Sequence, residues 1–194
     1  MNIKKDITAI VLAGGKSSRM GSEKGLVLLK EKPFINHIIN AVKPLVKEIV
    51  IVSSNTCYDD YTRKRIEDSV PNAGPVAGLL TGLRYSETEN NIVLSCDVPM
   101  VTTDVLKKLL AYKDEDYDVV QFEAKGKTIP LIALYKKRCE AKCAALLSDN
   151  ERRLRRLILS LKTKTIKISE KESFYVSNIN TMGELKIIEN AINH

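Results

Sequence analysis

Gly14, Gly15, Arg19 and Lys24 follow directly on a short apolar run, Ile7 to Val11, that reads as a buried strand. A strand ending in two glycines can turn sharply and bring its N–H groups close to a ligand. Several such donors form a nest for phosphate oxygens, and Arg19 and Lys24 place two fixed positive charges beside them. A triphosphate suits this chemistry. Spacing excludes two other phosphate loops. A P-loop requires a glycine five positions before its Gly-Lys-Ser unit, and that position is Ile10. The dinucleotide fingerprint fails because Lys16 stands where its second glycine belongs.

Asp97 lies in Leu94-Ser95-Cys96-Asp97-Val98-Pro99, at the end of a second strongly apolar run and before a proline-restricted turn. A carboxylate on so rigid a support suits magnesium, which at phosphate sites takes one or two carboxylates plus the phosphates. Asp68 falls just after a third candidate strand, Arg65-Ile66-Glu67. In open α/β sheets ligands collect beyond the carboxyl ends of the strands, so these three segments are predicted to meet in one crevice. Lys24 is expected on an exposed loop and Asp97 in solvent contact. Gly78 and Gly82, four apart in Gly74-Pro75-Val76-Ala77-Gly78-Leu79-Leu80-Thr81-Gly82-Leu83, leave one side of a helix bare, either for a flat purine or for close packing.

The first loop resembles the signature L-A-G-G-x-S-x-R-M-G-x-x-K of nucleotidyltransferases that build nucleotide-linked cofactors and sugars. The double glycine and Lys24-Gly25-Leu26 are most similar to molybdenum cofactor guanylyltransferase. Cys96-Asp97-Val98-Pro99, the Gly74–Leu79 stretch, Asp68 and Asn178-Ile179-Asn180-Thr181 continue the likeness over nearly the whole chain. Met182 replaces the family's proline, and Glu23 stands where many relatives have aspartate. The resemblance implies a Rossmann-like three-layer α/β/α sandwich with a mainly parallel mixed sheet, of the nucleotide-diphospho-sugar transferase type. It implies transfer of GMP from GTP to molybdopterin or Mo-molybdopterin, with release of pyrophosphate. Arg19, Lys24 and Asp97 would be catalytic, with Mg2+ on Asp97. Leu12, Ala13, Gly14, Gly15, Lys24, Asp68, Gly78 and Asp97 would hold the nucleotide, and Asn178 and Asn180 the pterin side. Molybdoenzyme precursors and other cofactor-biosynthesis proteins are the implied partners. Three alternatives stay open: a cytidylyltransferase of the same cofactor, a sugar-phosphate nucleotidyltransferase, and a non-catalytic nucleotide-binding adaptor. The first two more often carry L-A-A-G-x-G-x-R-M-G, and the adaptor is expected to have lost Arg19, Lys24 or Asp97.

The elements that must position these groups alternate along the chain. Strands are predicted at Ile7–Leu12, Glu48–Val52, Asn91–Cys96, Asp118–Phe122, Ile129–Tyr135 and Thr165–Ile168. Helices are predicted at Phe34–Val42, Val76–Tyr85, Thr102–Ala111, Arg138–Leu147, Arg152–Ser160 and Thr181–Ile192. Such alternation argues for an α/β fold with a mainly parallel sheet, with one of the last strands antiparallel. The 53–72 stretch is expected to hold a short helix and an edge strand. No linker or repeat divides the 194 residues, which read as one nucleotidyltransferase domain, 1–194.

Composition bounds the rest. A hydrophobic content of 44% suits a folded globular chain. No apolar run approaches the ~20 residues of a membrane span, and the polar start, Met1 to Asp6, lacks a signal-peptide pattern. A cytoplasmic protein without membrane attachment is expected. Four cysteines without a C-x-x-C pair, and two histidines, make a zinc site a poor reading; small thiols in a reducing compartment fit better. The net charge of +7 is concentrated between Lys125 and Lys167, where thirteen Lys or Arg face three acids. With 5% aromatics and no Trp there are few stacking platforms for nucleic acid, so a small polyanion or an acidic partner is favoured. Arg152, Arg153, Arg155 and Arg156 are candidates to grip the anionic acceptor.

Overall fold

A computed structural model describes residues 6–14, 23–61, 64–68 and 73–192. The chain opens with β1 (Ile7–Leu12), a short hairpin of β2 (Leu28–Leu29) and β3 (Lys32–Pro33), α1 (Phe34–Val42), β4 (Glu48–Val52) and β5 (Arg65–Ile66). Next come α2 (Pro75–Tyr85), β6 (Asn90–Ser95), α3 (Thr103–Leu110), β7 (Val119–Ala124) and β8 (Lys127–Lys136). It closes with α4 (Cys139–Ser148), α5 (Leu154–Leu159), β9 (Thr163–Lys167), α6 (Glu170–Ser173) and α7 (Met182–Ile192). Each strand and helix foreseen above is present, with ends moved by a few residues at most. The β2–β3 hairpin and α6 have no counterpart among the expectations.

Seven strands form one sheet in the order β5-β4-β1-β6-β8-β7-β9. β1 pairs in parallel with both β4 and β6, Ile10 facing Val50 on one side and Val93 on the other. β8 runs antiparallel to β6 and β7, while β9 rejoins β7 in parallel. From β1 the chain builds outward through β4 to β5, then crosses over to place β6 on the opposite side of β1. The reversal makes the carboxyl ends of β1 and β6 a topological switch point.

Because successive side chains of a strand point to opposite faces, β1 feeds two cores. Ala9 and Val11 pack with Ile35 and Ile38 of α1 and with Val105, Leu106 and Leu109 of α3. Ile10 and Leu12 pack with Val76, Leu79 and Leu83 of α2, Cys139 and Cys143 of α4 and Leu157 of α5. Helices thus cover both faces, giving three layers. A third cluster joins Val27, Leu29 and Phe34 to Ile179, Leu185 and Ile188. It fastens the C-terminal helix against the hairpin after the first loop, two regions some 150 residues apart in sequence.

Candidate active site

The switch point is held closed by backbone bonds that continue past the strands. Ala13 N–H donates to the Val52 carbonyl at 3.0 Å, and Cys96 N–H to the Leu12 carbonyl at 3.0 Å. Leu12 and Ala13 are therefore buried backbone framework, while Gly14 is exposed and a Cβ there would meet none of the described residues within 4 Å. Gly15 and Arg19 lie outside the described residues.

On the β6 side of β1, Asp97 is 6% exposed. Lys24 Nζ donates to its Oδ2 at 3.2 Å and Asn178 Nδ2 to its Oδ1 at 3.0 Å. Ile179 N–H also donates to the Asp97 carbonyl at 2.8 Å, and Lys24 Nζ donates to Asn180 Oδ1 at 2.5 Å. The expected solvent-accessible Asp97 is thus corrected: the Asn178–Asn180 segment covers it, and a buried carboxylate needs such partners. Lys24 is corrected too. It opens a 3-10 turn, Lys24–Leu26, with its side chain 24% exposed rather than free on a loop. Thr181 caps α7 by accepting from Glu184 N–H, and Glu184 Oε2 accepts from the Asn180 and Thr181 N–H groups. This reciprocal cap closes the turn that leads into Met182.

On the β4–β5 side, Asp68 Oδ1 accepts from Thr81 Oγ1 at 3.3 Å. A Cβ on Gly78 would lie 3.3 Å from Leu12 Cδ2 and 3.8 Å from Asp68 Oδ2. Asp68, Gly78 and Leu12 therefore meet in one place. Gly82 belongs elsewhere, since a Cβ there would overlap Ile10 Cγ2. Of the two readings of this glycine pair, close packing holds for Gly82, and Gly78 alone stands beside the candidate crevice.

Two residues of this region, Asn55 and Tyr58, gave little signal in the sequence. Glu23, before the lysine, accepts from Tyr58 Oη at 3.1 Å and from Asn55 Nδ2 at 3.1 Å. Asn55 and Tyr58 come from the stretch after β4, where Asn55 caps the turn Thr56–Tyr58. An aromatic in a charged stretch does not announce a partner 35 positions away. Cys96, next to Asp97, is buried, and burial followed by the Asp97 charge pushes its thiol up to about 12, so it stays protonated and unreactive.

The arginine group is not brought to Asn178 and Asn180. α5 packs on the α2 face, whereas α7 packs on the hairpin. Arg153 forks onto Glu151, with Arg156 3.9 Å from the same carboxylate. The Arg152 carbonyl lies beside Gly74 at the start of α2. Acids outside the basic segment offset part of its charge. Arg138 pairs with Asp116 and Asp118, Lys162 with Asp116 and Lys167 with Glu123.

Among solved structures, molybdopterin-guanine dinucleotide biosynthesis protein A of Archaeoglobus fulgidus superposes with a TM-score of 0.81, covering 96% of this chain and 98% of its own at 23% identity. That likeness establishes the fold, the one shared by the nucleotide-diphospho-sugar transferases. The model of the MobA-like NTP transferase domain matches residues 9–165. A probable molybdenum cofactor guanylyltransferase of Flavobacterium johnsoniae is 38% identical over 179 residues, spanning 92% of this chain and 94% of the relative. A molybdenum cofactor guanylyltransferase of Polynucleobacter asymbioticus is 32% identical over 97% of this chain and 98% of its own. The chain belongs to the MobA-like NTP transferase family and is a nucleotidyltransferase. No helix among the described residues is long and apolar enough to cross a membrane.

Proposed function

We propose that this chain transfers GMP from GTP to the terminal phosphate of molybdopterin, in its apo or Mo-loaded form, releasing pyrophosphate. The observation that carries the reading is the assembly of Lys24, Asp97, Asn178 and Asn180 beside the β1 loop at the switch point. The acceptor phosphate carries roughly −1.5 to −2 charges at neutral pH. One of its oxygens forms the new bond to the α-phosphorus while the α–β bridging bond breaks and pyrophosphate leaves with the electron pair. No proton must be removed, so the transfer requires neither a histidine base nor a Ser-His pair. The protein's work is positioning and charge compensation. Lys24 would stabilise charge on the pentavalent centre and the leaving group, a role the resemblance also gives Arg19.

The donor set suits a magnesium ion carried in by the nucleotide. Asp97 offers one carboxylate, and no group of three acid, His or Cys side chains among the described residues could hold a metal without further ligands. Magnesium accepts such sharing between one carboxylate and phosphates. Bound there, it would withdraw charge from the phosphate oxygens. Gly14 and Gly15 would admit the phosphates, Leu12, Ala13, Asp68 and Gly78 would face the nucleoside, and Asn178 and Asn180 the pterin. Molybdoenzyme precursors and other cofactor-biosynthesis proteins remain candidate partners on the same footing. The reading takes the whole chain as one catalytic unit in the cytoplasm.

A thermal-shift comparison of GTP, CTP, ATP and UTP, each with and without magnesium, tests the base. A site built to hydrogen-bond guanine rejects bases lacking its donors and acceptor. GTP with magnesium should raise Tm most. Equal or greater stabilisation by CTP would move the assignment to the cytidylyl branch.

A further inference from the structure

Lys24 is held at its tip by Asp97 and Asn180, but its backbone is held by something else. Tyr58 is fully buried, with no exposed surface, although it lies in a polar stretch. Its hydroxyl donates to Glu23 Oε1 at 3.1 Å, and the phenol oxygen itself lies against Gly25. A Cβ on Gly25 would fall 2.5 Å from that oxygen, so the close approach requires glycine there. One phenol thus meets the residues on both sides of Lys24, hydrogen-bonding Glu23 and packing against Gly25. Asn55 completes the arrangement from the end of β4, giving its Nδ2 to Glu23 Oε2 while its Oδ1 accepts from Cys57 N–H at 2.9 Å.

We propose that Tyr58 is a positioning residue for Lys24: with Glu23 and Asn55 it forms a strut from the end of β4 that sets where the lysine can reach. The inference rests on Lys24 acting in nucleotidyl transfer. Burial first, and then the Glu23 carboxylate it bonds, raise the phenol far above its ordinary range. It therefore keeps its proton and remains a donor to Glu23 at all working pH values. A shorter aspartate at position 23 would not span the same gap to Tyr58, which ties this device to the glutamate of this chain.

The experiment is a double-mutant cycle on single-turnover GMP transfer with Tyr58→Phe and Lys24→Ala, alone and together. Phe keeps the ring and removes the donor, so Tm should fall by only a few degrees while turnover falls about tenfold, the scale of one hydrogen bond to a charged group. The KM for GTP should move much less, since the loss is felt in the transition state. Lys24→Ala should lower turnover by about 10²–10³. In that background Tyr58→Phe should change turnover by less than about twofold, because its effect has nowhere left to act. A tenfold loss repeated without the lysine would show a general structural role and overturn the proposal. Turnover of Tyr58→Phe equal to the parent, with Lys24→Ala crippled, would overturn it as well. Parent-like turnover of Lys24→Ala would instead remove the reading of Lys24. Should Tyr58→Phe fail to fold, Glu23→Gln tests the strut from its half-exposed end by the same cycle.

Discussion

Asp97 divides its two oxygens between a cation and an amide, Lys24 on one and Asn178 on the other. Asp97→Asn keeps the shape and an acceptor for Asn178 but removes the charge opposite Lys24. Losing a hydrogen bond to a charged group costs about 1–3 kcal/mol, and the partly exposed lysine can turn toward water, so the lower half of that range is expected in urea unfolding. Its effect on catalysis should be far larger. Pyrophosphate release from GTP with molybdopterin present should nearly vanish, and the magnesium concentration needed for the residue of activity should rise. Superimposable magnesium curves for parent and variant would overturn the proposed role of Asp97 in holding magnesium.

Among the elements, α2 separates two kinds of glycine. Gly82→Ala drives a Cβ into Ile10, a β1 side chain fixed between α2 and the sheet, and such overpacking costs about 1–3 kcal/mol. Gly78→Ala meets Leu12 Cδ2 at a tight but tolerable 3.3 Å, and the helix gains up to about 1 kcal/mol in propensity. Urea unfolding should therefore show Gly82→Ala clearly destabilised and Gly78→Ala near the parent. If Gly78 borders the nucleotide, its variant should raise the KM for GTP all the same. The opposite ranking, with Gly78→Ala the less stable, would contradict the packing described for this helix. The short hairpin β2–β3 belongs to the same scale. Its turn residues Lys30 and Glu31 both have positive φ, 48° and 62°, in a turn that ordinarily carries Asn-Gly. Without that signal nothing local marks the hairpin, and it is the packing of Leu29 and Phe34 under α7 that holds it.

In the molecule as a whole, the three-layer packing decides the fate of the thiols. Cys96, Cys139 and Cys143 are buried, and burial pushes each up to about 12, whereas Cys57 is exposed. Titration of the native protein with a chromogenic disulfide should show one fast-reacting thiol and three that appear on unfolding. Two or more fast thiols would mean that α4 or the end of β6 opens readily. The alternation of apolar runs with 3.6-period stretches sufficed for the α/β class, because buried parallel strands and amphipathic helices each leave a local pattern. Residue type and strand-end position likewise singled out Lys24 and Asp97, which the fold brings together. What sequence alone left undecided was burial and company. That Asp97 is covered, that Asn180 grips Lys24, that Gly82 packs while Gly78 borders the crevice, and that Tyr58 reaches Glu23 all depend on contacts between segments far apart along the chain. Such contacts come from the crossover of β6 to the far side of β1 and from the apolar seating of α7. Local spacing carries no record of them, since their free energy arises from apolar surface buried between elements.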